Sequence, residues 1–184
     1  EIRHALYHGT ATALLARLAE TGEFTDATAK SIRDDRMADR ECILRFLAFK
    51  ITPCLEYKAE YLDKFLNDAM TRINKMSDEE ASLLEASFKR AMRCAYNVFG
   101  GDAFRKTKKG AKHRFPINKA LFEALSVNLS YLDDAKMRLL EERKERMKKL
   151  LLDAMEDAAF LASISQATGD TSRVKLRFMK IGTL

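Results

Sequence analysis

His4 and His8 stand four residues apart, the spacing that sets two imidazoles on one helix face and lets them share a zinc ion. No cysteine stands near to supply a third ligand, and Gly9 frays the turn just after His8, so the pair reads as surface or capping histidines and no metal is expected. His113 is the only other histidine, and neither a Gly-rich phosphate loop nor a GxSxG elbow occurs, so no catalytic residue and no cofactor is assigned. Cys42, Cys54 and Cys94 are odd in number, scattered and without CxxC spacing, which argues against a disulfide framework or a zinc knuckle and favours a reducing cytoplasm.

The strongest chemical signal is the run from Arg105 to Arg114. Arg105, Lys106, Lys108, Lys109, Lys112 and Arg114 supply six positive charges with no acid among them, flanked by Phe104 and Phe115. Cations at this density neutralise phosphates and release counterions, the chemistry of salt-sensitive DNA or RNA binding. A solvated surface loop is the other reading, and the two stand level. Arg173, Lys175, Arg177 and Lys180 form a second basic cluster that either extends that surface or is an exposed helix face.

Two further charged stretches carry less chemistry. Arg36, Asp39, Arg40, Glu41 and Arg45 fall at helix-neighbour spacings, which predicts ion pairs along the polar edge of a helix. The competing reading sends one of Arg36, Asp39, Arg40 or Arg45 across to a neighbouring domain, an arginine there gripping a phosphate or carboxylate bidentately. Between Lys136 and Lys149 seven cations alternate with Glu141, Glu142 and Glu145, the pattern of a salt-bridged solvent face.

These residues must be positioned by helices. Among 184 residues there are only seven glycines and two prolines, and 47% are hydrophobic, which predicts an all-α domain of roughly seven to eight helices. The first stretch closes at Gly9, and Thr10 is placed to cap a second short helix from Ala11 to about Glu20. After a polar connection, Met37 to Lys50 is apolar on nearly every side, a central core helix stopped by Pro53. Lys58 to Met76 keeps one apolar face, Ser77 to Glu80 is a capping box, and the next helix ends at Gly100-Gly101. The short turn predicts that these two helices form an antiparallel hairpin. Residues 102–116 are irregular, and Asn118 caps a helix through Leu121 and Leu129. One charged helix follows from about Ala135, with Leu139, Met147, Leu151, Met155 and Ala158 inward. Thr168 to Ser172 then breaks the chain and caps a basic helix from Arg173 to Ile181. The expected division is a bundle over 1–163 and a tail over 164–184 that packs on the bundle or leaves it.

Charge is distributed unevenly. Residues 1–100 hold 15 Lys and Arg against 16 Asp and Glu, a net of −1, while residues 101–184 hold 18 against 11, a net of +7. The excess predicts an anionic partner for the second half, with nucleic acid ahead of membrane. No apolar run approaches the roughly 20 residues of a membrane span. The opening Glu1 to Tyr7 reads as the interior of a helix with no cap before it, which predicts a preceding segment in the native protein.

Glu1-Ile2-Arg3 with Tyr7 and Gly9, Arg36-Met37 with Asp39-Arg40-Glu41, and Leu44 to Phe49 form the first half of an ordered set of stretches. Phe99-Gly100 with Ala103-Phe104-Arg105, Ile117 to Phe122, and Thr168 to Ser172 with Arg177 complete it. In these stretches, which span nearly the whole chain, the sequence resembles the C-terminal helical region of the GmrSD-type family of bacterial proteins. Members of that family begin with a ParB-like nuclease/NTPase domain and often act in restriction and phage defence. The family's catalytic signature, an Asp-Gly-Gln-Gln-Arg stretch of the N-terminal domain, does not occur in this sequence, so no catalytic residue carries over. The resemblance implies a helical accessory domain that packs against an upstream ParB-like domain and orients DNA for it. A protein-interaction or oligomerisation scaffold is the alternative, for which an exposed apolar patch beside Met137 and Leu140 would speak.

Overall fold

The computed structural model describes residues 2–32, 37–58, 61–111 and 113–184, leaving aside the side chains of Ile2 and His4. The expectations placed on Arg36, Lys112 and the His4 imidazole lie outside the described residues. The chain is all-α. Among the described residues, extended backbone pairs only at an isolated antiparallel bridge between Arg105 and Ile117.

Two helices form the centre. Helix α4, Ala38–Ile51, is buried continuously from Cys42 to Phe49, as a segment apolar on nearly every side must be to escape water. It packs on α7, Lys119–Ser130, which is buried along almost its whole length and capped by the Asn118 side chain accepting from Leu121 N at 2.8 Å. Against this pair lie α2, Thr10–Ala19, and α5, Leu62–Ile73, on α4, and α6, Asp78–Phe99, chiefly on α7. Helix α11, Thr171–Gly182, covers another side of α7. Phe49 of α4 meets Tyr57 at 5.4 Å, Phe65 of α5 at 4.8 Å and Phe178 of α11 at 4.8 Å between ring centroids. Each such ring pair adds about 0.5–1.5 kcal/mol to the area it buries. Residues 164–184 therefore pack on the bundle and complete its core.

Several local expectations are corrected. The start of α2 is served not by Thr10 but by Asn74, at the end of α5, whose Oδ1 accepts from Ala11 N at 2.8 Å. Gly9 has φ 138°, and a Cβ there would meet Asn74 Oδ1 at 2.8 Å, so the turn requires glycine. A short helix α3, Gly22–Ala27, occupies the stretch read as polar connection, burying Phe24 against Phe88 and Phe122. The capping box is present, Ser77 Oγ accepting from Glu80 N at 3.2 Å and Glu80 Oε2 from Ser77 N at 2.8 Å. The helices on either side of it do not pair as a hairpin. Helix α5 packs on α4 and α2, whereas α6 packs on α3, α7 and the helices beyond residue 133.

The single charged helix expected from Ala135 is three: α8, Asp134–Glu142, α9, Lys144–Glu156, and α10, Ala158–Ser163. Arg143 departs from helical geometry at φ −101°, ψ 21°. Asp157 restarts the chain by accepting from Ala159 N and Phe160 N. These breaks turn Leu139 and Ala158 outward, contrary to expectation, while Leu151 and Met155 stay buried. They let the polar strip bend around α6 and α11 instead of running straight into solvent. Among the described residues no helix is long and apolar enough to cross a membrane.

Candidate nucleic-acid interface

The basic run is a loop with a fixed neck. Helix α6 ends at Phe99, a 3-10 turn follows over Gly100–Asp102, and the chain enters the loop through Phe104 at φ 63°. The left-handed region costs a bulky residue about 1–3 kcal/mol. Here it is held by burial, because the Phe104 ring is enclosed and meets the Phe122 ring at a tilt, 4.5 Å between centroids. The strands of the neck are tied by the Arg105–Ile117 bridge and by Asn118 N donating to Phe104 O at 2.8 Å.

Arg105 locks this neck and takes no part in the loop's outer surface. It is 3% exposed. Its Nε donates to Gly101 O at 2.9 Å, Nη1 to Phe115 O, and Nη2 to Thr28 O at 3.1 Å and to Ser31 Oγ. One planar fork thus gathers the end of α6, the far side of the loop and the turn after α3, which suits guanidinium and not ammonium geometry. Burial, and then the neighbouring Arg114 charge, pull its pKa below the ordinary arginine value. The expectation that Arg105 contacts nucleic acid is corrected, since its donors are consumed within the fold.

Beyond the neck Lys108, Lys109 and Arg114 face outward. Lys108 and Lys109 are exposed and Lys106 half-buried, and among the described residues none of the three has an acidic partner. Arg114 donates from Nε to Asp102 at 2.8 Å, an exposed pair of the kind that contributes little and exchanges readily.

The second basic cluster does not extend this surface. Arg177 is fully buried in the interior, donating from Nε to Glu123 Oε1 at 3.0 Å, from Nη1 to Ser163 O at 3.2 Å and from Nη2 to Thr168 O at 2.8 Å. Its assignment to a nucleic-acid surface is corrected on that ground. Arg173 donates to the carbonyls of Ala162 and Gln166 and finishes the end of α10, and Lys180 pairs with Asp157 at 3.1 Å. Lys175 is half-buried.

Arg45 is likewise withdrawn from any neighbouring domain. Its Nη1 donates to Glu123 Oε2 at 3.1 Å and its Nη2 to Glu41 Oε1 at 2.9 Å, the pair expected four residues apart on α4. Lys119 donates to the other Glu41 oxygen. Burial would raise the Glu41 carboxyl, but the Lys119 hydrogen bond and the Arg45 charge override it and hold Glu41 below the usual carboxylate range. For Arg45, burial works against the charge, and Glu123 and Glu41 reverse it, so its pKa lies above the ordinary value. Asp39 accepts from Arg40 N at 2.7 Å at the start of the same helix, where both residues are half-buried.

Glu123 is the residue that sequence reasoning missed. It is fully buried between two arginines from α4 and α11. A single acid inside the apolar run Leu121-Phe122-Glu123-Ala124-Leu125 was the available signal, because a buried charge requires partners. Of the two residues named beside an exposed apolar patch, Met137 is buried and Leu140 half-buried, with Leu139 exposed next to them. Among the described residues no group of three His, Cys, Asp or Glu side chains could hold a metal ion.

The arrangement defines an all-α domain that carries a pinned basic loop and a separate buried charge network. Comparison with family models, curated proteins and solved structures finds no match to this chain.

Proposed function

We propose that the chain is a helical accessory domain of a bacterial restriction-type, anti-phage nuclease or NTPase, and that its loop touches DNA phosphates on behalf of an upstream catalytic domain. The observation that carries this reading is the division of labour within the loop. Arg105 spends its donors on fixing the neck, while Lys106, Lys108 and Lys109 stand beyond it with no acidic partner among the described residues. A loop already ordered before contact loses less conformational freedom on binding than a disordered basic tail. The resemblance to the C-terminal helical region of the GmrSD-type family supplies the upstream ParB-like domain and the setting. The half-buried start of α4, with Asp39 and Arg40, is the surface assigned to that domain.

The test is the affinity of the chain for duplex DNA across a salt series. A steep fall of log affinity with log salt is expected, the slope shrinking by about 0.9 for each phosphate contact removed. Replacing Lys108, Lys109 and Lys112 with glutamate is expected to weaken binding more than tenfold, by order of magnitude, with helical circular dichroism and melting unchanged. Unaltered affinity at low salt removes the loop from this reading.

A further inference from the structure

A groove of about 500 Å³ runs between the basic loop and helices α9 and α10, and its lining is chemically segregated. Lys106, Lys108 and Lys109 form one wall. Phe115 and Leu161, each 38% exposed although large and apolar, belong to the same groove, and Glu156 stands in it from the end of α9. Thr107 also lines it. Its hydroxyl is, among the described residues, the one buried side-chain polar atom without a hydrogen-bond partner.

We propose that this groove receives one unpaired nucleotide of a DNA strand. The inference rests on the reading that the loop engages DNA phosphates, and adds what happens beside them. An unpaired nucleotide has the same three-part chemistry as the groove: an anionic phosphate, an apolar ring face and a polar base edge. Lysines neutralise the first, and the Phe115 ring with Leu161 covers the second, since every base has a face that stacks on an aromatic ring. Glu156, an acceptor without donors when ionised, matches the exocyclic amine of cytosine, adenine or guanine, whereas thymine offers it one N3–H flanked by two repelling carbonyl oxygens. The volume falls within the usual range for small-molecule sites, about 300–1,000 Å³. A paired duplex offers no free base face, so the groove discriminates strand structure where the lysines alone sense charge.

The test compares a duplex carrying one bulged cytosine with a fully paired duplex of equal phosphate number, both binding to the whole chain. The bulged duplex is expected to bind about tenfold more tightly, the scale of one stacked base. Phe115→Ala should abolish that preference while leaving paired-duplex affinity in place, and Glu156→Ala should make bulged cytosine and bulged thymine equivalent. Equal affinity of the wild-type chain for bulged and paired duplexes overturns the inference but leaves the loop's phosphate contacts standing. Loss of all duplex binding overturns both. Binding of free dCMP as tight as that of the bulged duplex overturns the strand as ligand. Should Phe115→Ala unfold the chain, Leu161→Ser on the same groove gives the same comparison.

Discussion

Glu123 and Arg177, 54 positions apart in sequence, lie side by side in the interior with no exposed side-chain surface on either. The contact joins α7 to α11, and Arg45 brings α4 to the same carboxylate. Three helices are thereby held at one point by charge as well as by packing. Ion pairs of this kind stabilise little relative to a well-packed apolar replacement, but removing one partner leaves a buried charge exposed to no compensation.

Glu123→Ala is therefore expected to cost about 3–5 kcal/mol, measured by urea denaturation, because Arg45 and Arg177 both lose a partner. The double variant Glu123→Leu with Arg177→Met should recover part of that loss, since one buried charge on each side of the pair disappears together. A Glu123→Ala variant within about 0.5 kcal/mol of wild type would show that the network bears no stability.

Arg105→Ala should lower stability by about 2–3 kcal/mol, as a charged donor is lost and buried carbonyls are left unsatisfied. The same variant should be cut by trypsin after Lys106, Lys108 or Lys109 much faster than wild type, because the neck no longer restrains the loop. Lys108→Glu, altering only an outward charge, should change stability by no more than about 0.5 kcal/mol. Similar trypsin rates for wild type and Arg105→Ala would contradict the role of Arg105 as the pin.

Glu41 fixes the sign of one pH response. Its carboxyl is held below its ordinary value of 4.5 in the folded protein, so at pH values above 4.5 its full contribution is present. As the pH falls below 4.5 the unfolded chain takes up the proton first, and that contribution is lost through the depressed folded value. The urea midpoint should drop on acidification through this window, and less steeply in Glu41→Gln. Parallel acid profiles for the two proteins would separate Glu41 from the effect.

Burial pushes the Cys42 thiol up to about 12 and the Cys94 thiol up to about 11. Burial raises the Cys54 thiol as well, but this residue is only half-buried and so remains within reach of a reagent. Iodoacetamide at neutral pH should therefore label Cys54 alone in the native protein and all three cysteines after denaturation, read by intact mass. Native labelling of Cys42 at a comparable rate would contradict the packing of α4.

Local signals were the most legible part of the sequence. Ser77, Asn118 and the Asp170 region were placed correctly as caps because side chain and backbone donor lie within three residues of each other. The core helix from Met37 to Lys50 was equally plain from its apolar girth. What failed depended on distance along the chain. The short turn between α5 and α6 points to a hairpin, yet α2 competes for α5 and Asn74 reaches back to α2. The loop was recognised as basic, but composition does not distinguish a lysine that points out from an arginine that closes the neck. Arg105 and Arg177 read as surface groups in the sequence, and Arg45 as a partner of Glu41 alone, because their other acceptors, Thr28 O and Glu123 among them, are remote in sequence.

Helix α11 has one more consequence, for synthesis. A ribosome delivers Arg45 and Glu123 before it delivers Arg177 and Phe178, so the nascent chain holds a Glu123 carboxylate short of one partner and a Phe49 covered on fewer sides until residue 178 emerges. Chains released early, ending before residue 171, carry that defect permanently and should remain open to proteolysis while chains that include α11 close. The Glu123–Arg177 pair thus ties closure of the core to translation through the α11 segment.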